Sequence, residues 1–436
     1  MAKVTSESIC CEQLTEHETK QMTVGGPIST CTFFRGNREA ATATIKPRLA
    51  AIVKANPWLC GKLVKGKHGL LEVHFAQNPS DEDISSLLNP SMRAGKSGKK
   101  IVVDSTMNYY SVCENVGGTS AEVLKGSSCI GKDERLFSCS IIEDAKRPND
   151  TFALVFSGSH VIMDGYTYYK LLAMLCDGAE ILSLSPTRKQ QIKEQSERAM
   201  GSEESKFSKG TGIMCNVLGN FLCGSKAMIE SFYVDTSKVK RLKQNTSGVD
   251  YVSTNDVLTS AFGNALEPDF LFMPLNFREK LSDFTPLDAG NYEGALLFAK
   301  GEYTEASSIR RTLGSGPPQY KRGVGLAKKN PLPGFCGACC GKIGMFISWI
   351  FPFFSEVKIE GCQQMLHMPI LDVTMVPFDC AVVYRPRPET LAVVYFVRSM
   401  NETKIVDNIP MGPKVGSAEE CFAAGSEQSA ANGNEK

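Results

Sequence analysis

His160 and Asp164 sit four residues apart in the hexapeptide His160-Val161-Ile162-Met163-Asp164-Gly165, with a glycine directly after the acid. Histidine is the usual general base near neutral pH, because its ordinary pKa lies in the working range. A neighbouring carboxylate can hold local backbone and an arginine in place. Glycine lets a chain turn where a side chain would clash. The chain has five histidines, His17, His68, His74, His160 and His367, and a histidine beside a strand is more often structural than catalytic. The elements around the hexapeptide therefore decide how to read it.

Before it runs Phe152-Ala153-Leu154-Val155-Phe156, the pattern of a buried strand. After it, Tyr168, Leu171, Leu172 and Leu175 recur at helical spacing. A strand-to-helix turn is thus predicted to carry His160 into a cleft. Residues 136–143 and 151–156 read as an antiparallel pair around Lys146-Arg147-Pro148-Asn149-Asp150. Further upstream, 28–34 reads as a strand and 40–55 as a helix with Ile45, Leu49, Ile52 and Val53 on one face, which requires Pro47 near its first turn. Residues 185–209 are polar and charged, a crossover enclosing the apolar patch 213–223 on its far side. A second unit begins near residue 230. In it Ser253-Thr254-Asn255-Asp256 caps a helix over 257–266. Strands are expected at 232–234, 270–276, 295–298, 345–350, 373–376, 380–384 and 391–397. The Gly-, Pro- and Lys-rich stretch 312–333 is a candidate mobile loop.

Composition narrows the class. The chain of 436 residues is long enough for two domains. A net charge of +1 and the lack of a basic stripe with interleaved aromatics argue against a nucleic-acid binder. The N-terminus shows no apolar leader, and the most apolar stretch, 343–354, is too short to span a bilayer and holds Pro352. A cytoplasmic monomer is expected. The sixteen cysteines read as reduced thiols. Cys336-Gly337-Ala338-Cys339-Cys340 resembles half of a metal site but lacks a well-spaced partner pair, so no metal is expected. The tail 416–436 has the composition of a disordered segment.

Several motifs in order resemble the BAHD acyltransferases, a branch of the chloramphenicol-acetyltransferase-like superfamily. The match runs from about Thr23 to Ser399. Phe33-Phe34-Arg35 and Ile52 to Leu63 are similar to the family's early helix and "YPxLAGRL" segment. Ser159-His160 through Tyr166 resembles the HxxxDG motif. Val252 to Leu258 resembles the helix start that opens the second domain. Asn276-Phe277-Arg278-Glu279-Lys280-Leu281 with Pro286-Leu287 and Gly290-Asn291-Tyr292 resembles "NxRxRL…PL…YxGN". The asparagine of that last motif fits two registers, one through Tyr292-Glu293-Gly294-Ala295 and one through Gly290-Asn291. The second family signature, DFGWG, should fall at about 357–361, where only Gly361 remains, which marks a divergent branch.

The resemblance implies two α/β sandwich domains with mixed sheets and a channel between them: 1–190 carrying the motif, a crossover at 191–229, a second domain at 230–415 and the tail at 416–436. It implies acyl-CoA as co-substrate with no bound cofactor, and a small-molecule acceptor alcohol or amine. His160 would be the base, with no covalent acyl-enzyme. Asp164, paired with Arg278, would hold the loop, and Gly165 would supply backbone shape. Ser253, Thr254 and Asn255 are candidates for oxyanion or substrate contacts, with simple capping as the blander role. Trp349 would line the channel or sit in the core. Lys321, Arg322, Lys328 and Lys329 could meet CoA phosphates or form a solvated loop face. Two rivals are a non-catalytic scaffold of the same fold and a condensation-type enzyme whose donor is bound to a carrier protein.

Overall fold

The computed structural model describes residues 8–89, 101–223, 227–327, 329–371, 377–398 and 409–423. Its first sheet runs in the order Gln363–Ile370, Ile28–Arg35, Thr151–Gly158, Phe137–Glu143, antiparallel throughout. The strand Thr151–Gly158 is buried at every position. Both its faces are covered, which is why its sequence is continuously apolar rather than alternating. Phe152, Leu154 and Phe156 pack with Leu49, Ile52, Tyr168 and Leu172 from two helices, Arg38–Ala55 and Gly165–Met174. Ala153 and Val155 face the other way, onto Val382, Tyr384 and Val394 of a larger sheet.

That larger sheet has seven strands in the order Met411–Lys414, Met228–Val234, Ala392–Val397, Asp379–Tyr384, Ile343–Ser348, Phe270–Asn276, Glu293–Ala299. It is mixed: Ile343–Ser348 runs parallel to both of its neighbours and the remaining pairs are antiparallel. Its outer face packs Phe346, Ala381, Val383 and Tyr395 against Leu258 and Phe262 of the helix Thr254–Leu266. A small antiparallel sheet of Ile9–Gln13, Leu71–Ala76 and Lys62–Lys65 completes the first half. No helix among the described residues is long and apolar enough to cross a membrane.

Three expectations need correction, and a fourth lies outside the described residues. Pro47 lies inside the helix, which starts at the Asn37 cap and runs to Ala55, not in its first turn. Burial of Ala41, Ile45, Leu49 and Ile52 on one face offsets the hydrogen bond that proline forfeits. The strand expected at 373–376 lies outside the described residues. The strand found just before it, Gln363–Ile370, pairs with Ile28–Arg35, so the second half of the chain lends an edge strand to the first sheet. The tail is not irregular from 416: Val415, Ala418 and Cys421 are buried against the inter-sheet core as far as 423, and 424–436 lie outside the described residues. Spacing of small apolar residues three apart is what a short helical turn needs to reach that core. The loop at 312–333 is likewise partly built in, since the helix Ala306–Gly314 enters it and Tyr320 is buried.

Candidate active site

The strand Thr151–Gly158 ends two residues before His160, and Asp164 caps the helix that follows by accepting the Thr167 amide at 2.9 Å. Helix N-termini leave donors unpaired, so a capping carboxylate fixes both the helix start and its own direction. The remaining lone pairs of Asp164 face the second half of the molecule. Arg278 meets them with two nitrogens, Nη1 at 2.7 Å from Oδ2 and Nη2 at 3.2 Å from Oδ1, and the Tyr292 amide donates to Oδ2 at 3.1 Å. Burial pushes the Asp164 carboxyl up, but Arg278 and these hydrogen bonds outweigh it and hold the group below the usual carboxylate range. Arg278 also donates to the carbonyls of Asp288 and Gly290 and to Thr167 Oγ1, and lies over the rings of Tyr166 and Tyr292 at 4.7 and 5.1 Å. A buried ion pair with this many hydrogen bonds is a clasp between the halves, and it leaves neither partner free to exchange protons.

His160 itself is half-buried, and its Nδ1 is 3.0 Å from Asn291 Oδ1. The amide orientation follows from its surroundings. Asn291 Nδ2 faces three acceptors: the His160 carbonyl at 2.8 Å, Glu18 Oε1 at 3.2 Å and the Val161 carbonyl at 3.4 Å. The NH2 group must point there, so the oxygen must point at His160. An oxygen acceptor requires a proton on Nδ1. In the neutral ring Nε2 then carries the free lone pair.

Glu18 is fully buried and is fixed in turn by Arg188, whose Nε lies 2.9 Å from Oε1. Arg188 also donates to the carbonyls of Ile162 and Ala289. His17, next to Glu18, is kept below its ordinary pKa by burial; Glu18 pulls it back up, and the charge of His160 adds to the lowering. Sequence reasoning missed Glu18 and Arg188. Both lie in polar stretches that look solvated, and no local pattern marks a contact across 170 positions. Asn291 was visible only as one of two registers.

Gly165 does not have the role expected of it. Its φ is not in the left-handed region, and an added Cβ would meet Trp349 and Phe351 only at 3.6–3.7 Å, ordinary contact distances. The Asp164 cap already makes the turn. The position that demands glycine is Gly290, with φ 130° and a would-be Cβ 2.9 Å from Arg188 Nε.

The two-half α/β body can be matched among solved structures. Polyketide synthase associated protein 5 from Mycobacterium tuberculosis superposes with a TM-score of 0.55 at 14% identity, covering 91% of this chain and 96% of that one. TRI101 from F. graminearum, solved with coenzyme A and T-2 mycotoxin, gives 0.55 at 13% identity with the same coverage. The first condensation domain of the calcium-dependent antibiotic synthetase gives 0.55 at 12% identity, covering 91% and 93%. The chain has the two-domain chloramphenicol-acetyltransferase-like fold. No protein-family model and no curated protein matches its sequence.

Within this fold the other expected residues separate. Ser253 is a helix cap whose hydroxyl accepts the Asp256 amide in a capping box. Thr254 Oγ1 accepts from Lys243, and Asn255 Nδ2 approaches Met273 Sδ at 3.6 Å while its Oδ1 is buried without a partner among the described residues. These contacts lie among the elements of the second half and tie none of the three to His160. Trp349 is half-buried and close to the motif: its ring is 6.0 Å from Tyr169, edge-on, and its Nε1 borders Gly165. With Phe351, Phe353 and Phe354 it forms an aromatic clamp on Tyr166 and Tyr169, the helix that follows His160. The clamp lies just ahead of the residues where DFGWG was sought.

Arg322 is not available to phosphates, because it is buried between Glu302 at 2.8 Å and Glu204 at 3.2 Å. Lys329 pairs with Glu204 at 2.7 Å, Lys321 is exposed, and Lys328 lies outside the described residues. Cys336 and Cys340 are exposed on the short helix Phe335–Cys340, and no cluster of metal-binding side chains forms there among the described residues. A surface cavity of about 490 Å³ is bordered by Asp269, Pro333 and Cys340. It opens at the start of the strand Phe270–Asn276, roughly 20 Å from the end that meets Arg278, so it is separate from the histidine.

Proposed function

We propose that the chain is an acyltransferase that moves an acyl group from a CoA thioester to an acceptor hydroxyl or amine, with His160 as the general base. The observation that carries this reading is the Asn291 amide, turned by Glu18 and the His160 carbonyl so that Nε2 is the nitrogen able to take a proton. Nε2 would remove the acceptor's proton as its oxygen or nitrogen attacks the thioester carbonyl. The tetrahedral intermediate would collapse with loss of CoA thiolate, and the imidazolium would return the proton to that sulfur. No covalent enzyme intermediate is needed. A base of this kind contributes about 10²–10⁴ in rate.

Asp164 and Arg278 would be positioning residues: their charges are spent on each other, and they fix the loop from which His160 projects. The solved relatives with coenzyme A or an acyl-CoA bound support the choice of donor, and their low identity leaves the acceptor to be argued from this chain alone.

The test is CoA release from acetyl-, malonyl-, aromatic and long-chain acyl-CoAs with pooled acceptors, for the wild type and His160→Ala. Acceptor-dependent release that disappears in the variant is expected. Equal release by both proteins removes His160 as base. Release by neither, with turnover only when the acyl group is carried on a carrier protein, selects the condensation-type reading. Silence with both donors selects a scaffold.

A further inference from the structure

The seven-stranded sheet turns one face toward the first sheet, and that face is not filled along its whole length. The register puts Asn276 beside Glu293, Pro274 beside Ala295 and Phe272 beside Met345, so all of these share a face. Alternation adds Ile347, and the register of Ile347 with Val382 identifies the face as the one packed on the first sheet. Deep in a two-sheet sandwich such residues should be buried. Instead Pro274, Asn276, Glu293, Ala295, Met345 and Ile347 are all half-exposed. A row of half-exposed side chains on this face marks a crevice at the margin of the sandwich, where Ala295 and Met345 adjoin Ile213 and Val217 of the helix Thr211–Cys223.

Glu293 stands at the His160 end of this row, two residues after Asn291. Among the described residues no hydrogen-bond donor or ion-pair partner meets its carboxyl. The cations around it are already committed. Arg278 is held by Asp164, Arg188 by Glu18 and Lys189 by Asp288. His17, lowered by burial, supplies no standing positive charge. Burial pushes the Glu293 carboxyl above the ordinary range; the charge on His160 pulls it down, Asp164 pushes it up and Arg278 pulls it down. A carboxyl beside a reaction centre, under-compensated in the free protein, is best satisfied by a positive charge on a ligand. The acyl donor cannot provide that charge, since a CoA thioester is neutral along its reactive arm and anionic at its phosphates. The acceptor can.

We propose that Glu293 anchors a cationic acceptor: a small molecule with an ammonium group held by this carboxylate and a separate hydroxyl or neutral amine presented to Nε2 of His160. The assignment rests on the acyl-transfer reading and narrows its acceptor to amine-bearing compounds. The crevice beyond, floored by Ala295, Met345 and Ile347, is apolar and suits a hydrocarbon segment of either substrate.

Calorimetric titration of the full chain tests it with two matched probes: aminohexanol, with a hydroxyl at one end and an ammonium at the other, and hexanediol, in which a second hydroxyl replaces the ammonium. The wild type is expected to bind aminohexanol about tenfold more tightly, in line with one partly buried charge-assisted hydrogen bond. Glu293→Gln should abolish the preference, and Glu279→Gln, at an exposed neighbour, should keep it. Equal affinities in the wild type, binding of neither probe, or a preference that survives Glu293→Gln overturns the proposal. Failure of the anchor is distinct from failure of the reaction: CoA release without ammonium preference sinks only the anchor, and ammonium preference without CoA release sinks only the acyltransferase.

Discussion

His160 and His367 belong to the same sheet region, one just past the end of the central strand Thr151–Gly158, the other inside the edge strand Gln363–Ile370. His367 is fully buried, with Nδ1 2.8 Å from Thr32 Oγ1 and Nε2 3.1 Å from Tyr169 Oη. Rings of Phe354 and Tyr169 surround it at 5.4 and 5.9 Å. Both nitrogens are occupied, and burial drives its pKa down to about 3. His160 is half-exposed, has one nitrogen tied to Asn291 and keeps the other open. Residue type is identical in the two places; of the two, only His160 keeps a ring nitrogen without a hydrogen-bond partner among the described residues. In the proposed mechanism the base is made by what is withheld from the second nitrogen as much as by what is given to the first.

The contrast can be broken most sharply by exchanging the two histidines for alanine. His160→Ala should lower turnover by about 10²–10⁴ while leaving the fold intact, as read from CoA release and circular dichroism. His367→Ala should do the reverse, lowering the melting temperature through the cavity it leaves, with turnover per folded molecule retained. Loss of activity in both variants alike would end the distinction.

The clasp beneath the His160 loop gives the next effect. Arg278→Met strands a buried Asp164 carboxylate and should cost about 3–5 kcal/mol in urea unfolding. Adding Asp164→Asn should recover part of that loss, because the uncompensated charge is then gone. A single variant as stable as the wild type would show that the pair is not the link between the halves.

Asn291→Ala tests how the first nitrogen is held. With the tautomer no longer fixed, kcat should fall by about 10–100-fold with little change in KM, and the pH profile of kcat should move, which a purely structural residue would not do. An unchanged profile would detach Asn291 from the base.

The smallest effect is thermodynamic. His367 has a folded pKa of about 3 against 6.5 when unfolded. Between those values the unfolded chain binds the extra proton, so stability is full above pH 6.5 and falls as pH drops toward 3. The slope should be about 1.4 kcal/mol per pH unit below 6.5, with His17 adding in the same direction. His367→Asn should flatten the slope, measured by urea unfolding at pH 5 to 7. An identical slope in the variant would place the proton elsewhere.

What could be read in advance was what is local. The strand before His160, the helix after Asp164 and the cap at Ser253 each depend on residues within one or two turns. The resemblance supplied Arg278 as the partner of Asp164, a contact across 114 positions that no periodicity would have shown. The errors share one cause. Gly165 was judged by its place in a motif, whereas the left-handed backbone and the crowding guanidinium are at Gly290. Arg322 looked like a surface cation because its carboxylate partners, Glu204 and Glu302, come from remote segments. The strand Gln363–Ile370 was overlooked as polar residues interrupt it; its apolar positions gain meaning only beside Ile28–Arg35.

The sequence by itself determined that a histidine would leave a buried strand and meet a capped helix, since hydrophobic period and capping chemistry act between near neighbours. Only the tertiary structure decided which nitrogen of that histidine is free, which glycine is required, and that Glu293, among the described residues, is left without a partner. Each of those depends on groups brought together from segments up to 273 residues apart, as Glu18 and Asn291 are. The free energy of such contacts comes from burial and pairing across the fold, which no stretch of chain contains.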